Sequence, residues 1–149
     1  MAGNDPKPIL PALGRYYATT SDLSYLLVRL TVGLMVVPHG WGKVFGSGLT
    51  GVAGYLTKLH LEPATPLAAI IMFNETIGGI LIALGLFTRP IAALLVIEFI
   101  VLTVVVHVPR GYMVQGGVEF PLLWLLMFVV VLLRGGGPYS VDRVIGKEL

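Results

Sequence analysis

Hydrophobic residues fall along this chain in four long runs, separated by short clusters of glycine, proline and charge. The first extends from Leu23 to about Phe45, the second from Thr65 to Phe87, the third from Pro90 to Val108 and the fourth from Gly116 to Leu133. An α-helix needs about 20 residues to cross roughly 30 Å of hydrocarbon. The first three runs reach that length, and the fourth is expected to begin slightly earlier or to sit where the bilayer is thin. A β-barrel span would alternate polar and apolar residues over about ten positions, which Ile91-Ala92-Ala93-Leu94-Leu95-Val96-Ile97 does not. The pattern predicts an all-α fold, a four-transmembrane-helix bundle with antiparallel, up-down connections.

The boundaries follow from the punctuation. Residues 1–21 read as a polar N-terminal tail interrupted by Pro6, Pro8 and Pro11, with Ser21 or Asp22 capping the first helix. The tail lacks the apolar core of a cleaved signal peptide, so targeting falls to the first membrane helix. Residues 22–134 form the membrane domain. Between its first two spans, Val52, Leu56, Leu59 and Leu61, with Tyr55 beside them, describe either a short amphipathic segment at the membrane surface or a loop. Thr88-Arg89-Pro90 gives a tight connection, since proline is tolerated in a helix's first turn. Gly135-Gly136-Gly137-Pro138 stops the last span and leaves a polar C-terminal tail over residues 135–149.

Composition agrees. Of 149 residues, 56% are hydrophobic and only 12% charged, with a mean hydropathy of +0.88; soluble domains carry about 25% charge. The net charge of +2 comes from Lys and Arg scattered singly, which excludes a nucleic-acid footprint. There is no cysteine, so thiolate catalysis, disulfides and cysteine-ligated clusters are excluded. Four spans put both termini on one side with Lys7, Arg15, Arg89, Arg134, Arg143 and Lys147, against Lys43, Lys58 and Arg110 opposite. The positive-inside rule then places both termini in the cytoplasm and the chain in a prokaryotic cytoplasmic (inner) membrane as a multi-pass protein.

Ionisable groups in hydrocarbon are costly and mark function or pairing. Arg29 lies about 9 Å and Glu98 about 12 Å from the same membrane face by helical rise. Depth and charge therefore predict a structural Arg29–Glu98 ion pair. His39 and Lys43 share a helix face one turn apart, with Gly40 between them allowing close approach. Glu75 lies near mid-membrane, and His107 and Glu119 flank the outer turn between the third and fourth spans. These five residues, His39, Lys43, Glu75, His107 and Glu119, are the candidate ligand or proton-exchange site, an outward-opening polar pocket; mutual satisfaction of the same groups is the competing reading. Glu98 and His107 are nine residues apart, near opposite faces of an ideal helix. Two lone histidines are weak grounds for haem, and no ligand spacing supports a metal.

The chain resembles the DoxX family of small prokaryotic membrane proteins over roughly residues 25–143. The resemblance rests on Arg29, on Pro38-His39-Gly40-Trp41-Gly42-Lys43-Val44-Phe45-Gly46 with its His-Gly-x-x-Lys signature, and on Glu75-Thr76-Ile77-Gly78-Gly79. It continues through Gly85-Leu86-Phe87-Thr88-Arg89, His107, Gly117-Val118-Glu119-Phe120 and Tyr139-Ser140-Val141-Asp142-Arg143. The resemblance implies a four-helix membrane bundle and raises a respiratory or quinone-linked role, without assigning catalytic residues. The expected function is a quinone-linked redox membrane component with no intrinsic cofactor and a bound quinone as candidate ligand. Its expected partners are the lipid bilayer and a respiratory or redox membrane complex. The alternative is a non-catalytic accessory subunit that binds lipid or a protein partner.

Overall fold

Pro11 occupies the first position of a helix, where its missing N–H costs nothing, and the helix continues without a break to Gly42 as α1. A computed structural model of the chain describes residues 9–148 and shows helices joined by turns, with no strand among them. The expected N-terminal tail is thus corrected in part: residues 11–21 are helical, and Ser21 and Asp22 lie inside α1. Hydroxyls there bond back along the helix, Thr19 to the Arg15 carbonyl and Thr20 to that of Tyr16. Pro6, Pro8 and Lys7 fall outside the described residues.

After α1 a π-helical turn, Lys43–Ser47, leads through Gly48 at φ +66° into α2, Gly48–Lys58. The amphipathic pattern emerges here as a helix whose Val52 and Leu56 pack on Ala64 and Ala68 of α3, a small cluster of its own. The second run forms α3 (Ala64–Phe73), a π-helical turn (Asn74–Gly78) and α4 (Gly79–Leu84). The third forms α5 (Thr88–Val101), a π-helical turn (Leu102–His107) and a short 3-10 turn (Val108–Arg110). The fourth is α6, Glu119–Arg134, and a last helix, α7, covers Val141–Ile145.

Three helical stretches are long and apolar enough to cross a membrane: Pro11–Lys58, Ala64–Leu84 and Thr88–Arg110. At 16 residues, α6 spans about 24 Å, short of the roughly 30 Å hydrocarbon layer. All neighbouring long segments run antiparallel. A Cβ on Gly33 would stand 2.7 Å from the Gly79 carbonyl oxygen, and one on Gly40 would stand 2.7 Å from the Glu75 carbonyl carbon. Advancing along α1 therefore means retreating along α3–α4, with the backbones themselves in contact. This is the small-residue packing that membrane helices use in place of hydrophobic drive. Asn74 meets Glu98 of α5, Phe99 of α5 meets Trp124 and Phe128 of α6, and His39 meets Trp124. The order around the bundle is α1, α3–α4, α5, α6, closing back on α1. The core between them holds Val32, Val36, Ile82, Leu95, Phe99, Phe128 and Val131, while large apolar side chains such as Leu27, Ile97 and Leu133 face outward, as lipid contact requires.

The C-terminal residues are not a free tail. They fold back under the bundle, and this corrects the expected Arg29–Glu98 pair. Arg29, only 1% exposed, donates Nη1 to the Gly136 carbonyl and Nη2 to those of Tyr139 (2.5 Å) and Ala83 (3.3 Å). Its charge is felt by Asp142 rather than by Glu98. The Asp142 carboxylate accepts from the Phe87 and Thr88 amides at 2.8 and 3.0 Å and from the Thr88 hydroxyl at 2.7 Å, closing the start of α5. Free amides at a helix N-terminus favour an anion there. Gly85 makes room for the arrangement: its φ is +70°, and a Cβ would meet the Arg29 guanidinium at 2.6 Å. Tyr25 completes the seal by donating its hydroxyl to the Gly135 carbonyl.

Candidate functional site

At the opposite end of the bundle, each of the first three long stretches contains one π-helical turn, and each turn carries an ionisable side chain: Lys43, Glu75 and His107. A π turn closes i→i+5 and inserts one extra residue, so the helix beyond it is rotated by about 100° relative to an unbroken α-helix. That rotation brings together residues that ideal periodicity separates. His107, half a turn away from Glu98 on an ideal helix, lines a cavity together with Phe99, Leu102 and the Glu75 carboxyl.

The cavity has a volume of about 750 Å³. All five sequence-predicted site residues line it: His39 and Lys43 from α1 and its terminal turn, Glu75, His107, and Glu119 at the start of α6. Lys43 Nζ forms an ion pair with Glu75 Oε2, one partner partly exposed and the other buried. The contact depends on Gly40, whose missing side chain lets α1 lie against the backbone of Glu75 and Thr76. Around this charged pair the wall is aromatic. Phe99 and Trp124 are stacked, with centroids 5.7 Å apart and planes 7° from parallel, and the His39 ring meets Trp124 edge-on at 6.0 Å.

The end near Glu119 is closed by the irregular stretch Met113–Gly117 together with Phe120 and Pro121. His107 Nδ1 lies 2.8 Å from the Gly116 carbonyl oxygen. A carbonyl only accepts, so Nδ1 bears the hydrogen and the neutral ring keeps its Nε2 lone pair. This bond ties the irregular stretch to the end of the third segment. Gly117 is buried, and a Cβ there would stand 2.7 Å from Glu119 Oε2.

Sequence reasoning missed three contributors. Asn74 is 1% exposed and donates Nδ2 to Glu98 Oε2 at 3.0 Å; Glu98 thereby belongs to this end's polar group and not to Arg29. Phe99 reads in the sequence as one more core residue. The adjacency of Asn74 and Glu75 was the available signal, since two polar residues side by side in an apolar run place neighbours on two faces at once. No three His, Asp or Glu side chains among the described residues are grouped to hold a metal ion.

Comparison with known proteins gives the same class. The family model for DoxX matches residues 24–108. An uncharacterized protein of Haemophilus influenzae is 31% identical over 81% of this chain and 90% of its own length. "Inner membrane protein YphA" of Escherichia coli is 36% identical over 79% of this chain and 87% of its own length. "Putative oxidoreductase CatD" of Bacillus subtilis is 28% identical over 85% of this chain and 90% of its own length. No solved structure gives a significant match.

Proposed function

Because the chain belongs to the DoxX family of membrane proteins, we propose that it is a four-span component of the prokaryotic cytoplasmic membrane whose cavity binds a quinone, in a redox system where a partner supplies the electron transfer. One observation carries this reading: a single cavity joins a charged floor, Lys43 with Glu75, to a flat aromatic wall, Phe99 with Trp124. A volume of about 750 Å³ falls in the range of small-molecule sites, about 300–1,000 Å³. The His39 ring and the Lys43 ammonium supply donors for a quinone oxygen, while the stacked rings suit its planar face. The redox chemistry belongs to the quinone and its partner. The oxidoreductase name of the Bacillus relative supports the same direction.

For orientation, the Lys and Arg bias supports cytoplasmic termini, which makes the cavity open towards the outer face. The fourth span is α6, whose shortness is offset by the irregular stretch before it; non-helical backbone is tolerated at membrane depth where it lines a cavity.

The accessory-subunit reading has its own support in the lining, where Leu102, Met113, Val114, Phe120 and Pro121 would also suit an acyl chain. Titrating a short-chain quinone into the reconstituted protein separates the two. Saturable quenching of tryptophan fluorescence is expected, diminished in Trp124→Phe, and His39→Leu should weaken binding by up to about tenfold through one lost hydrogen bond. Quenching that never saturates, together with phospholipid alone in the native extract, would replace the quinone reading with the lipid-binding one.

A further inference from the structure

The floor of the cavity continues one layer deeper. Behind the Lys43–Glu75 pair, Asn74 holds the Glu98 carboxyl at 3.0 Å, and Glu98 stands near enough to Glu75 and Lys43 to sense both charges. The group therefore draws on three segments, α1 with its terminal turn, the π turn between α3 and α4, and α5. Glu98 is about ten residues into the third stretch, roughly 15 Å from its start and so near mid-membrane.

The charges do not balance. Two carboxyls face one ammonium. Arg29, at the other end of the bundle, is committed to backbone carbonyls. From α1, the remaining titratable group facing the cavity is His39; from the end of the third segment it is His107, already bonded through Nδ1 to Gly116; α6 adds Trp124 and a further acid, Glu119. A carboxylate without a counterion at this depth is neutralised far more readily by a proton than by any group present. Asn74 is built to serve either state. Its side chain is buried, its Nδ2 donates to Glu98, and its Oδ1 has no partner. Rotated by half a turn, the same amide accepts from a carboxylic acid O–H in place of donating to a carboxylate.

We propose that Glu75 and Glu98 share one proton, forming with Lys43 a charge-neutral proton store directly behind the cavity. Moving the proton from Glu98 to Glu75 breaks one O–H bond and makes another, transfers no electron and leaves the net charge of the trio at zero. Glu75 thereby becomes the donor at the cavity surface and Glu98 its reserve. The store stands on the geometry of the three side chains; only its use by a quinone rests on the function proposed above.

Infrared spectroscopy of the full chain in an ester-free detergent tests this without any ligand. The wild-type protein at neutral pH should show one protonated-carboxyl carbonyl band that shifts in deuterium oxide. Glu75→Gln and Glu98→Gln should each abolish it, because the remaining carboxylate then pairs with Lys43, and Lys43→Met should roughly double its area. No such band in the wild-type protein overturns the proposal, and this arm depends on no variant folding. A band that persists in both glutamine variants also overturns it, since the proton would then sit elsewhere. Quinone titration is read separately, so either conclusion can fail alone.

Discussion

Arg29→Met should cost about 3 kcal/mol of stability and release the C-terminal residues from the bundle. Three carbonyls, those of Ala83, Gly136 and Tyr139, lose a charged donor at once, and a buried acceptor left unmade costs about 1–3 kcal/mol. The expected readout is limited trypsin digestion in detergent, with cleavage after Arg134 and Arg143 becoming rapid while the rest of the chain stays intact. Arg29→Lys should recover only part of the loss, because an ammonium cannot reach three acceptors in one plane as a guanidinium does. Asp142→Ala releases the same segment from the α5 side, so the double variant should fall well short of the sum. Unchanged protease resistance in Arg29→Met would remove Arg29 from this role.

Lys43→Met should be nearly as damaging at neutral pH, at about 3 kcal/mol, because it leaves Glu75 buried without its ion-pair partner. Acidification supplies a proton in place of the lysine, so the deficit should shrink as the pH falls. Lys43→Met combined with Glu75→Leu removes both charges, and thermal unfolding should return most of the lost stability. Strict additivity across this cycle would mean that the two side chains do not act together.

Much of the framework was legible because lipid imposes a simple rule. Apolar runs long enough to span, broken by Gly, Pro and Arg, mark the helices, and ionisable residues inside them mark the place where the bundle turns polar. By that rule His39, Lys43, Glu75, His107 and Glu119 could be grouped before any coordinates. Arg29 misled because depth along two helices was matched without allowing for a third element. The residues after Gly135 look like solvent-facing tail, yet Asp142 and the carbonyls of Gly136 and Tyr139 are what the guanidinium meets. Tyr139-Ser140-Val141-Asp142-Arg143 had been read only as a mark of resemblance, and the structural role of the segment was contained in it. The start of α1 was placed too late for a related reason. Three prolines suggested an irregular tail, whereas Pro11 is at the one helical position where proline is welcome.

The three π turns had no comparable signature. Nothing in the composition of Lys43–Ser47, Asn74–Gly78 or Leu102–His107 distinguishes i→i+5 bonding from the ordinary ladder. Their presence means that the cavity is specified by chain length as much as by side-chain identity. Deleting a single apolar residue from one of these turns would leave every polar residue in place and could restore a more regular helix, a gain in backbone hydrogen bonding. The same deletion would swing one wall of the cavity by about 100° and take Lys43, Glu75 or His107 out of register with the others. Relatives of this chain can therefore keep all the site's residue types and still lack the site, if the spacing between those residues differs by one.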